Sequence, residues 1–368
     1  MPCIGKSLGD AKHIALHTAK GKIFKNQKSE AHWLNTYGTN KVALYAKMPA
    51  MLKLLIVKTS SMGDVIHNLP IINDILRHYP DAQIDWVVEQ SFADIVKLHP
   101  HVHQVLPVAL RQWRKALFSG STWQAICDSR KAISASQYDI VLDTQGLLKS
   151  AWISHWAKGV RHGYDSASAR EPLASLFYQQ RHQVSKAQHA VVRNRSLAAL
   201  ALGYSMPPAQ ADAGIAGRQA NHQLSQTVIA LHGSSRDSKL WPTAQWIALC
   251  NGLANDGLQV LLPWASAQEQ RRAQQIAQSC SNATVLPACN LHELAHIIAQ
   301  AKLAIGVDTG LAHLAVALNI PTIGIYTDTD PNKTGLYTPG NPKVVNLGGI
   351  ALSPSVKEVL QQVERLSQ

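Results

Sequence analysis

The stretch MLKLLIVKTSSMGDVIHNLP, Met51 to Pro70, decides how this chain is read. Leu52 to Val57 is an apolar run of strand length, interrupted only by Lys53. A polar turn follows at Lys58, Thr59, Ser60 and Ser61. From Gly63-Asp64 onward, Val65, Ile66, Leu69, Ile71 and Ile72 supply the apolar positions of a helix. Strand, small polar turn and helix are how an α/β domain begins. The turn falls at the carboxyl edge of the first strand, where open parallel sheets bind ligands. Gly63 lets another molecule approach the backbone closely. Asp64 stands at the helix start, facing the crevice. There it can cap the helix or accept a proton from a docked hydroxyl, and the stretch alone leaves both roles open.

Outward from Met51 the pattern alternates. Strands are predicted at 52–57, 83–88, 104–107 and 139–143, and helices at 63–78, 91–98, 121–136, 147–157 and 187–202. Met206 to Gln223, rich in Pro, Ala, Gly and Gln, reads as a linker. A second series follows, with strands at 227–232, 258–262, 283–286, 303–307 and 321–326 and helices at 243–255, 266–279, 291–301 and 309–318. Residues 353–367 place Val356, Val359, Leu360, Val363 and Leu366 on one helical face. The succession predicts two parallel-sheet halves with a ligand cleft between them. The expected division is an N-terminal extension at 1–50, a first Rossmann-like domain at 51–215, a second at 225–348 and a C-terminal helix at 349–368.

Composition narrows the classes. The 368 residues are 46% hydrophobic, enough for two or three domain cores. No run of about 18 uncharged apolar residues is present, so no membrane-spanning helix is predicted. The five cysteines lack CxxC spacing and read as reduced thiols, as in a cytoplasmic protein. The net charge of +12 favours anionic partners, but residues 1–50 hold eight Lys against two acidic residues and supply half of it. That segment has no sustained period and no signal-peptide core. It reads as a disordered extension, with Met51 as the natural start.

Four further stretches can carry chemistry. Leu231 to Pro242, LHGSSRDSKLWP, leaves a strand and offers amides, the Ser234 and Ser235 hydroxyls and Lys239 to a phosphate, or is a solvated loop. Gly306 to His313, GVDTGLAH, ends a strand at Asp308, Thr309 and Gly310, and the next helix offers its free N–H groups to an anion. His313 lies one turn beyond Thr309; the alternative is a helix cap with a core histidine. Glu269, in PWASAQE, either receives a ribose or favours the helix dipole. Arg111 and Arg114 flank Trp113 in a loop after a strand, with Lys149, Arg161, His162 and Arg170 further on, and Arg grips phosphate or carboxylate in bidentate fashion. GxGxxG after a strand, Walker A, HExxH, CxxC and GxSxG are all absent. Asp328-Thr329-Asp330 resembles a DxD metal motif, but turn chemistry before Pro331 accounts for it better.

Together these segments resemble the bacterial lipopolysaccharide heptosyltransferases, in particular those that add the first heptose. The resemblance runs from Met51 to about Gly348. It is carried by LLIVKTSSMGDVIHNLP, DWVVEQSFADI, LPVALRQWRKA, DTQGLLKSA, AREPLASLFY, QHAVVRNR, SKLWP, LLPWASAQE and VDTGLAHLAVAL in that order. It implies a GT-B fold of two Rossmann-like domains facing a central cleft. The donor it implies is ADP-L-glycero-β-D-manno-heptose, the acceptor a Kdo residue of Kdo2-lipid A, and the transfer inverts the anomeric centre. The same resemblance makes Asp64 the general base. It places the donor on Ser234, Ser235, Lys239, Glu269, Asp308, Thr309, Gly310 and His313, and the acceptor on Arg111, Arg114 and Arg170. It implies no metal, no cofactor and no nucleic acid, and peripheral work on the cytoplasmic face of the inner membrane. Addition of a second or later heptose is the nearest alternative; a non-enzymatic polyanion or nucleic-acid binder, suggested by charge, is the remote one. The chain departs from the family pattern at Gln112, Cys289, Thr327 and Asp328.

Overall fold

Leu54, Leu55, Ile56 and Val57 are all fully buried, as a central strand covered on both faces requires. They belong to β1 (Lys53–Val57), followed by β2 (Gln83–Glu89), β3 (Val102–Val108), β4 (Gln137–Asp143), β5 (Lys158–Tyr164) and β6 (Gln180–His182). The computed structural model describes residues 51–215 and 224–367. The expected extension at 1–50 and most of the second half of the linker lie outside those residues.

The six strands form one parallel sheet in the order β3-β2-β1-β4-β5-β6. A second sheet contains β7 (Leu224–Leu231), β8 (Gln259–Leu262), β9 (Ala283–Val285), β10 (Ala301–Val307), β11 (Thr322–Tyr326) and β12 (Val344–Gly348), ordered β12-β11-β10-β7-β8-β9. Each half thus has the dinucleotide-fold order, with its switch point between its first and fourth strands. The two parallel-sheet halves expected from the alternating pattern are observed, and they are the two Rossmann-like domains of the GT-B fold that the resemblance implies. Both sheets belong to one unit, residues 50–368.

Several local expectations need correction. The helix expected at 63–78 is two helices, Met62–Ile66 and Pro70–His78. Pro70 supplies no N–H and sits in the first turn of the second, where none is needed. Strands β5, β6 and β12 were not expected. KGVRHGY and VVNLG contain glycine and polar residues, and β6 has only three residues, so none shows a clean strand period. The expected loop at Arg111 begins with a short helix, Leu110–Trp113, because Trp113 turns into the core of the first half. The C-terminal helix begins at Val356, not 349, and its Val359 and Val363 complete the core of the second half.

A buried ion pair fixes the first half to the segment leading out of it. Arg195 lies on the helix Ala190–Leu202 and Asp74 on the helix Pro70–His78. The guanidinium donates to both Asp74 oxygens, at 2.6 and 2.9 Å, and to the Pro208 carbonyl at 2.7 Å. Both side chains are almost wholly buried. Removing one partner leaves an uncompensated charge inside. Asp74→Ala is therefore expected to cost about 3–5 kcal/mol, read as a lower urea midpoint; a change below about 1 kcal/mol would contradict the assigned role.

Candidate active site between the two sheets

The carboxyl ends of β1 and β4 in the first half and of β7 and β10 in the second open onto one cavity of about 620 Å³. Both switch points therefore contribute to one cleft, at the location where open parallel sheets take ligands. Its walls include Ser60 to Asp64, Arg111, Gln145 and Arg170 from the first half. Ser234, Ser235, Lys239, Asp308 to Gly310 and His313 come from the second.

Asp64 is the third residue of the helix Met62–Ile66, whose N-cap is Ser61. Its Oδ2 accepts from the Ser61 amide and hydroxyl, each at 3.1 Å. The carboxylate thus takes the capping role and also lines the cavity. Arg170 donates to Oδ1 at 2.7 Å and to Oδ2 at 3.3 Å. Burial alone would raise the carboxyl pKa. The positive charges of Lys58 and Arg170, with the hydrogen bonds of Arg170 and Ser61, outweigh burial and hold it well below the usual range.

Lys58 lies beneath this carboxylate. It is buried and donates to the Thr144 carbonyl at 2.8 Å. Burial pushes its ammonium down to about 8, against the attraction of Asp64. Gln145 braces the turn above it: its Oε1 accepts from the Thr59 amide and hydroxyl, both at 2.8 Å. Lys149 donates to the Ser60 hydroxyl at 3.0 Å. Sequence reasoning passed over Lys58 and Gln145. The available signal was a lysine following directly on a strand too apolar to be exposed.

On the opposite wall Lys239 pairs with Asp308 at 2.7 Å, and the Thr329 hydroxyl donates to the same Asp308 oxygen at 2.7 Å. The Ser234 hydroxyl donates to the Asp308 carbonyl at 3.1 Å. Asp308 thus holds Lys239 at the cavity edge, beside the start of the helix Gly310–Ala317 with Thr309 as its N-cap. Those first-turn amides and the Lys239 ammonium can receive an anion. Thr329 was read only as turn chemistry. Asp330 does serve the turn, its Oδ1 accepting from the Asn332 amide at 3.0 Å.

The two walls touch through glycines. A Cβ on Gly63 would come within 3.0 Å of the His313 ring, and one on Gly310 within 2.5 Å of the Met62 sulfur. Beside this contact the His67 and His313 rings share a hydrogen bond of 3.0 Å, and His189 meets His67 with ring centroids 5.1 Å apart. Burial lowers all three histidines, His313 to about 4, so at neutral pH the seam is uncharged. His313 therefore faces the cavity and the seam at once.

Two expected site residues stand apart from the cavity walls. Glu269 Oε2 accepts from the Ala265 and Ser266 amides at 2.7 and 3.3 Å, which is the helix-start role. Its other oxygen rests where a Cβ on Gly233 would be, 2.6 Å away. Arg114 is exposed beyond the cavity, whereas Arg111 lines it with its guanidinium 5.2 Å above the Phe92 ring. Thr327 donates to the Ser238 carbonyl at 2.7 Å, joining its loop to the one that bears Lys239.

Residues 126–364 match the model of glycosyltransferase family 9 (heptosyltransferase). The chain is 45% identical over 290 residues to lipopolysaccharide heptosyltransferase 1 of Salmonella typhimurium, covering 78% of this chain and 92% of that protein. The solved structure of E. coli heptosyltransferase WaaC with ADP is 42% identical and superposes with a TM-score of 0.80, covering 86% of this chain and all of that one. The same enzyme with ADP-2-deoxy-2-fluoro heptose gives 40% identity and a TM-score of 0.78, covering 85% and 99%.

The depressed Asp64 carboxyl has a stability consequence of fixed sign. Its contribution is fully present above the unfolded value of about 3.9 and is lost as pH falls toward the lower folded value. Carbon-13 NMR of the carboxyl should show Asp64 ionised below pH 3.9, and Arg170→Gln should move its titration upward. An unshifted titration in that variant would remove Arg170 as a cause.

Proposed function

Because this chain belongs to glycosyltransferase family 9, the heptosyltransferases, we propose that it moves L-glycero-D-manno-heptose from ADP-heptose to a Kdo residue of Kdo2-lipid A. The protein is a glycosyltransferase of lipopolysaccharide core assembly. The observation that carries the transfer is the placement of Asp64 and Lys239 on facing walls of one cleft, and the choice of acceptor leans on the 45% identity to a heptosyltransferase 1.

The first half, 51–215, receives the acceptor and the second, 225–348, the ADP-sugar. Asp64 takes the proton of the attacking Kdo hydroxyl as that oxygen approaches the heptose anomeric carbon. Attack from the face opposite ADP inverts the centre. The low pKa of Asp64 keeps it ionised but makes it a weak base, so its effect comes chiefly from position. Arg170, bound to both Asp64 oxygens, is exchanged toward the anionic acceptor as the acceptor hydroxyl takes its place. Arg111, on the cavity wall, holds a remaining carboxylate or phosphate group, and Arg114 meets the acceptor outside the cavity, at the exposed rim.

As the sugar bond breaks, negative charge gathers on the diphosphate. Lys239, the Ser234-Ser235 turn and the amides at Thr309 and Gly310 stabilise it, a role supported by their presence on the cavity wall. His313 borders the sugar, and Glu269, outside the cavity walls and packed against Gly233, reaches the ribose only if the donor extends past the Ser234-Ser235 turn. These groups supply the charge stabilisation, so the proposal requires no metal and no cofactor. The lipid acceptor brings the protein to the cytoplasmic face of the inner membrane. A polyanion binder without catalysis is displaced by the family membership.

Mass-resolved transfer from ADP-heptose to Kdo2-lipid A, against an acceptor already bearing one heptose, tests the reading. Product only from the second acceptor would assign the chain to a later step. Asp64→Ala should lower kcat by about 10²–10⁴ while ADP binding stays close to normal. Lys239→Ala should lower kcat by about 10²–10³ and also weaken donor binding. Full turnover in the first variant, or unchanged donor KM in the second, would overturn the respective role.

A further inference from the structure

Large apolar side chains stand exposed on the outer side of the first half: Phe118, Trp123, Leu148, Trp152, Leu173 and Leu176. Phe118 is fully exposed and Leu176 is 67% exposed. Scattered surface leucines need no explanation, but a contiguous apolar ridge does. The packing beneath these residues shows why they lie together. The helix Leu148–Ser154 and the 3-10 turn Pro172–Phe177 meet through Ala151, Ala174 and Tyr178. That contact leaves Leu148 and Trp152, four residues apart on the helix, on a shared outer side. It does the same for Leu173 and Leu176, three apart on the 3-10 turn.

Trp152 meets Trp156 edge to face at 4.8 Å, and Trp156 shares a core with Trp113, Ile126 and Ile133 beneath the helix Gly120–Ser134. At the start of that helix the Trp123 indole donates to the Leu117 carbonyl at 2.9 Å, holding the loop that presents Phe118. Three segments covering one face of the first sheet thus present the ridge.

Its margin is cationic. Arg114 and Lys115 lead into the Phe118 loop and are exposed. Arg161 and Arg181 are held at the end of the 3-10 turn, donating to the Phe177 carbonyl at 2.9 Å and the Tyr178 carbonyl at 3.4 Å. The acidic neighbour Glu171 accepts from the Leu148 amide at 2.6 Å. The ridge also begins where the active cavity ends: Leu147 and Arg170 line that cavity, and Leu148 and Pro172 follow them in the chain.

We propose that this ridge is the surface by which the protein seats on an anionic phospholipid bilayer, with Phe118, Trp152, Leu173 and Leu176 entering the interface. The proposal rests on the reading that the acceptor is a lipid. Apolar and tryptophan side chains ringed by Arg and Lys are the chemistry of interfacial binding. A second copy fits worse, because a two-fold interface would set one cationic margin against the other. Seated in this way, the cavity mouth lies at headgroup level. A lipid-borne sugar then reaches Asp64 without its acyl chains leaving the bilayer.

The test is vesicle flotation of the full chain without substrate. The vesicles are phosphatidylethanolamine with phosphatidylglycerol, or phosphatidylcholine alone. The triple variant Phe118→Ser, Trp152→Ser, Leu176→Ser should lose at least about tenfold in binding to the anionic vesicles. Should the Trp152 change lower the melting midpoint, Phe118→Ser with Leu176→Ser reads the same loss without it. Arg161→Gln with Arg181→Gln should weaken binding to anionic vesicles only. Transfer to a deacylated, water-soluble acceptor should be unchanged in the apolar variants, and transfer to the lipid acceptor in vesicles should fall. Vesicle binding equal to wild type in the apolar variants would overturn the proposal. So would self-association of the wild type that those variants abolish. Absence of transfer to the soluble acceptor by the wild type would instead count against the proposed reaction, since vesicle binding is read independently.

Discussion

Asp64 is held between two cations, and much of the first half serves that arrangement. Lys58 lies below it, fixed to the Thr144 carbonyl, and Arg170 lies in front of it with two hydrogen bonds. Gln145 and Lys149 in turn fix Thr59 and Ser60, which lead into the capping residue Ser61. A carboxylate so surrounded stays ionised and keeps one orientation. Its basicity is low for the same reason. An anion entering the cavity would compete with Asp64 for that guanidinium, which lines the same wall.

The second half uses the same device with opposite sign. Lys239 is held by Asp308, and Asp308 is steadied by Thr329 and by the Ser234 contact to its backbone. A cation balanced by one carboxylate is positioned without being buried unpaired. Lys239 lines the cavity together with Thr309 and Gly310 at the start of the helix Gly310–Ala317. The glycine contacts of Gly63 with His313 and of Gly310 with Met62 bring these two arrangements to one cavity. The neutral histidine seam beside them adds contact without adding charge to the cleft.

Most of the architecture was legible because parallel strands buried on both faces read as continuous apolar runs, and each was followed by a helical period. Residues 52–57, 258–262, 303–307 and 321–326 are of this kind. Strands β5, β6 and β12 were not, because their sequences are short or carry glycine and charge, and their neighbours in the sheet decide their state. The apolar period runs unbroken through Pro70 and so hides the division into two helices there. Within the site, Asp64, Lys239, Asp308 and His313 stood out because each follows a strand end, where sheet topology makes the crevice. Glu269 was read as a ribose contact or a helix-start residue, and Arg114 as part of an anion-gripping cluster. The structure sets Glu269 in a helix-start capping role and Arg114 on the exposed rim.

The sequence by itself determined two alternating α/β series, the turns at their strand ends and the chemical types those turns carry. These follow from periodicity and local backbone chemistry, which act over a few residues. Only the tertiary structure decided that Arg170, 106 residues away, grips Asp64, that Lys58 is buried beneath it, and that Gly63 and Gly310 bring the two halves into contact. Those pairings depend on charge and shape meeting through space, and no local pattern in the chain encodes which distant residue will arrive.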